Sequence, residues 1–257
     1  MGYFKKLLGA VGDELILAIQ ATKFFDRTFA LPTLADTDRK KTVYRVHNGD
    51  TVDTACELKK AGLNPLVLNL ASEFNPGGGW TNGSLAQEEC IFLRSTYDLS
   101  LNSRHNIDRA RTWSYPIPQV GGIYSPDVLI FRGGPDDRYR IWKWKEWVYL
   151  DFVAVAALRR PKLMTNRRFT DRDAEITKEK IRAVLRIGWM TGHSVLLLGA
   201  LGCGAFRNPP WQVAELFKTV FEEPEFSQRF DEIHFAILDS IQESNYEIFR
   251  EVLKSLE

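Results

Sequence analysis

Two adjacent carboxylates, Glu88 and Glu89, follow Gln87, which lies eight positions after the glycine run Gly77-Gly78-Gly79 and its leader Asn75-Pro76. Three consecutive glycines let a backbone approach a ligand where any Cβ would collide. Carboxylates just beyond such a loop are candidates for acid/base work. One protonates a leaving oxygen while a nearby carboxylate stabilises an oxocarbenium-like sugar carbon. Neighbouring side chains on a helix diverge by about 100°, so only one of the pair faces a given bond. The other is left to hold a ribose hydroxyl or to orient its partner. A helical carboxylate kept partly dry has a raised pKa and can supply the proton. Glu-Glu is more commonly a solvated helix face; the glycine loop upstream shifts the balance towards an enzyme acting on a sugar-phosphate ligand.

A second loop has its own chemistry. Gly199-Ala200-Leu201-Gly202-Cys203-Gly204-Ala205-Phe206-Arg207-Asn208-Pro209-Pro210 follows the apolar run Ser194 to Leu198. Asn208 is a good N-cap and Pro209 suits the first helical position. Unpaired N–H groups in such a turn hold a phosphate or diphosphate, but the same glycines also make a plain strand-to-helix turn. Phe206 either stacks on a sugar or base or anchors the loop by packing. Neither GxGxxG nor a P-loop is present, which disfavours a dinucleotide-dependent dehydrogenase and a P-loop ATPase.

The elements that must position these loops are legible. Leu66 to Ala71 reads as a buried strand leading into the triple glycine. Thr42–Val46, Val128–Phe131, Trp147–Ala157 and about 232–238 read as further strands, and Thr51–Lys60, Glu175–Met190, 209–223 and 243–255 as helices. Ser84 with Gln87 fits a capping box for a helix running to about Leu99. Residues 103–127 read as loop because of Pro116, Pro118, Gly121, Gly122 and Pro126. Strands alternating with helices predict an α/β layered fold, with ligands beyond strand C-termini. Residues 1–40 are expected to form an N-terminal helical extension and residues 41–257 the catalytic domain.

Composition narrows the function. Lys plus Arg (34) nearly balances Asp plus Glu (33), which argues against a general nucleic-acid-binding surface. Cys56, Cys90 and Cys203 show no metal spacing and suit a reducing compartment. No apolar run reaches membrane-span length, and Gly12, Asp13 and Glu14 interrupt the N-terminal apolar stretch against a signal peptide. A cytoplasmic monomer is expected, or a nuclear one in a eukaryote, with no membrane partner. His47, His105, His193 and His234 lack HxxxH or HxH spacing and do not read as a metal site. Trp142, Trp144, Trp147 and Tyr149 read as packing rather than base stacking. Arg159-Arg160 and Arg167-Arg168 read as a solvated loop, with steering of an anionic polymer as the alternative. Cys203 reads as a small residue in a tight turn rather than a nucleophile.

The run Leu68 to Gly79, with Gln87-Glu88-Glu89 after a seven-residue spacer, resembles the poly(ADP-ribose) glycohydrolase signature. Leu198 to Asn208 is similar to the diphosphate loop of its compact microbial-type branch, as are Tyr124 to Val128 and Phe131-Arg132. The resemblance spans roughly residues 40–240, with four matches in order. It implies a macrodomain-like three-layer α/β/α sandwich around a mixed sheet, with ADP-ribose across the top. By that resemblance Glu89 is the acid/base for the ribose–ribose bond, and Glu88 binds ribose hydroxyls. Gly77, Gly78 and Gly79 close over the distal ribose and diphosphate; Gly202, Cys203, Gly204, Ala205 and Phe206 hold the diphosphate. Asn75, Gln87 and Ser72 complete the substrate-binding set, Ser72 standing where many macrodomains carry asparagine. The implied chemistry needs no metal and no cofactor, and no residue is assigned to interior units of a polymer, so action is mainly exo. The substrate is poly(ADP-ribose) or an ADP-ribosylated protein. Hydrolysis of mono-ADP-ribose on protein or nucleic acid, and non-catalytic ADP-ribose binding, are the competing functions.

Overall fold

The computed structural model describes residues 12–32, 35, 40–239 and 244–256. The strands are β1 (Lys23–Phe25), β2 (Val43–His47), β3 (Pro65–Leu70), β4 (Gly122–Ile130), β5 (Val148–Val155), β6 (Val195–Leu198) and β7 (Glu232–Ala236). They form one sheet in the order β1-β4-β5-β3-β6-β7-β2. β1 and β5 flank β4 antiparallel, while β5, β3, β6, β7 and β2 run parallel. The sheet is therefore mixed. A helix over residues 12–20 (α1) precedes β1. The stretch expected as a helical extension thus also supplies an edge strand, with Phe24 opposite Ile123 of β4.

Helices cover both faces. Leu66 and Leu68 of β3 pack in one core with α5 (Asp171–Met190), α6 (Pro210–Phe221) and α7 (Asn245–Leu253). Val67, pointing the other way, packs with α2 (Thr51–Lys60), α3 (Gln87–Arg94) and α4 (Tyr97–Leu101). This is why β3 is apolar at successive positions rather than alternating. The α5/α6/α7 core centres on Phe217, which meets Phe221, Phe235 and Phe249. No helix among the described residues is long and apolar enough to cross a membrane.

Two expectations fail locally. The helix expected from Ser84 to Leu99 starts at Gln87 with Ala86 at the cap, and no side chain caps it. Ser84 instead packs against Gly79, its N–H donating to the Gly79 carbonyl. The helix also stops at Ser95, where a bridge to Ile130 and the Thr96 N–H to Leu129 carbonyl bond tie the chain to the sheet. The region 103–127 is not loop throughout, because β4 begins at Gly122. Pro126 is accommodated where the β4–β5 register shifts between Ser125 and Val128, a bulge where no ladder N–H is needed.

Candidate active site

β3 ends at Leu70, and the chain passes through Ser72 and the triple glycine before entering α3. Gln87 joins the two ends. Its Oε1 accepts from the Leu70 N–H at 2.8 Å, and its Nε2 donates to the Leu68 carbonyl at 2.8 Å and the Thr51 hydroxyl at 3.3 Å. Both halves of the amide thus serve to fix the first turn of α3 on the end of β3.

That first turn carries both carboxylates. Glu88 is 4% exposed and Glu89 9%. Glu88 Oε2 accepts the Ser72 N–H at 2.7 Å, and Oε1 accepts from the Gly77 N–H at 3.2 Å and Asn69 Nδ2 at 3.3 Å. Glu89 Oε1 accepts the Gly79 N–H at 2.9 Å. The α3 N-terminus adds a favourable field for negative charge. Burial dominates at Glu88 and raises its pKa from the ordinary 4.5 to about 7, against the pull of its N–H donors.

The glycines follow from these contacts. Gly77 has φ +77° and Gly78 φ +55°, conformations that side chains disfavour. A Cβ on Gly77 would lie 2.5 Å from both Phe92 and Trp80 ring atoms. One on Gly78 would lie 2.5 Å from Glu89 Oε1 and 3.2 Å from Glu88 Oε2. The loop is therefore pressed onto both carboxylates, which sit within reach of one point.

Titration of Glu88 has a consequence for stability. Between about pH 4.5 and 7 the unfolded chain has lost this proton while the native chain keeps it. Native stability therefore falls as pH rises through that window, by about 3 kcal/mol from this group. Unfolding free energies of the native chain and Glu88→Gln at pH 5 and pH 8 check this. The difference between them should move by that amount in favour of the variant; parallel pH profiles contradict it.

The second loop lies opposite. Gly202 takes φ +76°, and a Cβ there would meet Asn208 Nδ2 at 2.5 Å and Ala157 Cβ at 2.6 Å. Asn208 is not the helix cap: Pro209 occupies that position and Pro210 the first turn. Its buried amide donates to the Leu158 carbonyl at 2.6 Å and the Gly202 carbonyl at 3.1 Å, tying the loop to the exit of β5. The N–H groups of Gly204, Ala205 and Phe206 meet no protein acceptor among the described residues. Successive free N–H groups of this kind suit an anion.

A cavity of about 620 Å³ runs between the loops. Of the residues expected at the site, Ser72, Asn75, Gly78, Gly79, Gln87, Glu88, Glu89, Gly202, Gly204, Ala205 and Phe206 line it. Gly77 and Cys203 do not. Gly77 is buried against Trp80 and Phe92, and Cys203 points into the α5/α6/α7 core, where burial pushes its thiol up. Sequence reasoning missed Asp50, Thr51, Phe74, Arg159, Leu238 and Asn245, which also line the cavity. Leu238 and Asn245 flank the exit of β7, a strand C-terminus where ligands of such folds gather. Phe74 had a signal as well, an aromatic residue inside a polar loop; it is 58% exposed on the rim.

Residues 8–133 match the family model of the microbial-type PARG catalytic domain. The poly(ADP-ribose) glycohydrolase of Thermomonospora curvata is 28% identical, with TM-score 0.75 over 93% of this chain and 88% of that one. The same enzyme bound to the inhibitor ADP-HPD gives TM-score 0.74 at 28% identity over the same shares of the chains. Residues 8–133 thus match a microbial-type PARG catalytic domain, and the whole chain is similar to the solved bacterial poly(ADP-ribose) glycohydrolases. The Deinococcus radiodurans member in complex with ADP-ribose is 26% identical, with TM-score 0.68 over 96% of this chain and 92% of that one. A search of curated proteins found no match. The family model spans the triple glycine and both glutamates, and the whole-chain structural likeness extends to the second loop.

Proposed function

We infer that this chain is a poly(ADP-ribose) glycohydrolase that hydrolyses the ribose–ribose O-glycosidic bond, mainly from chain ends, and releases ADP-ribose. One observation carries the assignment: two buried glutamates on one helical turn, each gripped by an N–H of the glycine loop, face a cavity bounded by a nest of free N–H groups. The nest of Gly204, Ala205 and Phe206 holds the diphosphate, with Phe206 packed on the ligand. Glu88 fixes the loop and binds ribose hydroxyls at the cavity wall.

Glu89 is the acid/base. Both oxygens of Glu88 are taken up by the Ser72 and Gly77 N–H groups and the Asn69 amide, so its raised pKa does not make it the group that reaches substrate. Glu89 has one oxygen engaged by Gly79 and Oε2 left for chemistry. Glu89 protonates the 2′-oxygen of the adjacent unit as the C1″–O bond breaks. The diphosphate of the terminal unit lies near the anomeric carbon and stabilises its positive charge. The Glu89 carboxylate then takes a proton from water, which adds to that carbon.

A monomer without membrane or general nucleic-acid partners fits the near-even charge, and three buried free thiols fit a cytoplasmic setting. Residues 41–257 supply every site element, and the preceding segment completes the sheet edge.

Digestion of purified poly(ADP-ribose) beside a mono-ADP-ribosylated protein tests the reading. Free ADP-ribose should accumulate from the polymer from the first time point, without short oligomers, while the protein-linked unit persists. Preferential removal of that last unit would instead support the mono-ADP-ribose hydrolase. Gly78→Ala is expected to lower turnover about a hundredfold, because its methyl displaces Glu89 and misplacement of about 1 Å costs that much. Unchanged turnover in this variant would disconnect the loop from the acid.

A further inference from the structure

The charge of this chain is nearly balanced, yet residues 158–170 contain Arg159, Arg160, Lys162, Arg167 and Arg168 and no acid. The structure places this segment beside the second loop. Arg159 lines the cavity, and the Arg160 N–H donates to the Phe206 carbonyl at 2.8 Å, which sets Arg160 next to Arg207. Arg168 is neutralised by Glu215 at 2.6 Å. The other four and Arg207 have exposed or partly exposed positions, and among the described residues none of their side chains has an ion pair or hydrogen bond. Arg160, Arg167 and Arg207 moreover sit at φ +49°, +59° and +57°. A glycine or asparagine would occupy such positions with less strain. Bulky cations kept there, unpaired, on the segment that sends Arg159 into the cavity and on the loop bonded to it, form a surface that a polyanion would neutralise.

We propose that Arg160, Lys162, Arg167 and Arg207 form a polymer-binding rim that holds the diphosphate of the ADP-ribose unit next to the one in the cavity, with Arg159 at the junction. The proposal deepens the glycohydrolase reading and rests on it for the choice of polymer. The rim confers preference for a chain of at least two units over a single one, and it does so through phosphate charge rather than base contacts.

Binding is the direct test, read in a Glu89→Ala background so that the polymer is not digested. Arg160→Gln, Lys162→Gln, Arg167→Gln and Arg207→Gln are combined, and Kd is measured for poly(ADP-ribose) and for free ADP-ribose across a salt series. Polymer affinity should fall about tenfold and the salt slope flatten by about two contacts, while ADP-ribose affinity stays within about twofold. Retained ADP-ribose binding also reports that the variant is folded. Equal polymer binding by both proteins overturns the proposal, as does equal weakening for polymer and monomer, which would place these residues in the cavity itself. A single-stranded oligonucleotide bound as tightly as the polymer through the same residues overturns it in favour of a nucleic-acid surface. A native chain that binds polymer through the rim but cleaves none would sink the glycohydrolase reading and leave the rim standing.

Discussion

Glu89→Gln is expected to slow ADP-ribose release from poly(ADP-ribose) by about 10³-fold, within the range of a lost general acid/base, while ADP-ribose affinity changes little. The amide keeps the shape of the side chain and can still accept the Gly79 N–H through its oxygen. What it cannot do is give a proton to the leaving oxygen or take one from water. The loss should therefore fall on kcat and leave KM nearly unchanged, the pattern of an interaction made in the transition state. Glu88→Gln provides the contrast. Its side chain anchors Ser72, Gly77 and Asn69, so its replacement should move both KM and kcat. A Glu88→Gln variant that loses turnover alone, beside an active Glu89→Gln, would reverse the two roles.

The second large effect is on stability. Arg94, the last residue of α3, is fully buried. Its guanidinium pairs with Asp50 at 2.6 Å and with Asp53, and its Nε donates to the Arg132 carbonyl at 3.2 Å. Asp50 in turn caps α2 through the Val52 and Asp53 N–H groups at 2.8 and 3.0 Å. One side chain thus locks the carboxylate-bearing helix to the helix start that forms the cavity wall. Arg94→Met fills the space but leaves two acids facing each other. Breaking such a pair from one side costs about 3 kcal/mol, the lower end of the range because Asp53 is half exposed and regains water. Tm should fall by roughly 6 °C for a chain of this size. Arg94→Lys restores charge without the planar fork and should recover only part of the loss. An Arg94→Met protein as stable as the native one would show that the aspartates repack at no cost.

Much of this site was readable from residue types in order. A buried strand, three glycines and a Glu pair at the start of a helix imply close backbone approach to carboxylates, and Gly78 against Glu89 is that contact. What the sequence hid were partners supplied by the tertiary fold. Gln87 looks like the third residue of a capping box, yet it bonds β3 and Thr51, and nothing local could reveal that choice. Cys203 sits in a glycine-rich loop like its neighbours, but a tight turn sends its side chain into the core. Pro126 signals loop in isolation, whereas a register shift lets β4 pass through it. Asp50 and Asn245 announce themselves only as helix-start residues; cavity placement comes from the strands behind them.

The most direct test of the central claim is the rate at which the native chain releases ADP-ribose from purified poly(ADP-ribose), measured with enzyme in excess and with ADP-ribose affinity determined on the same preparation. Free ADP-ribose should appear as the first product and account for the polymer consumed. Tight ADP-ribose binding without any release would contradict the account and leave the chain a reader of ADP-ribose.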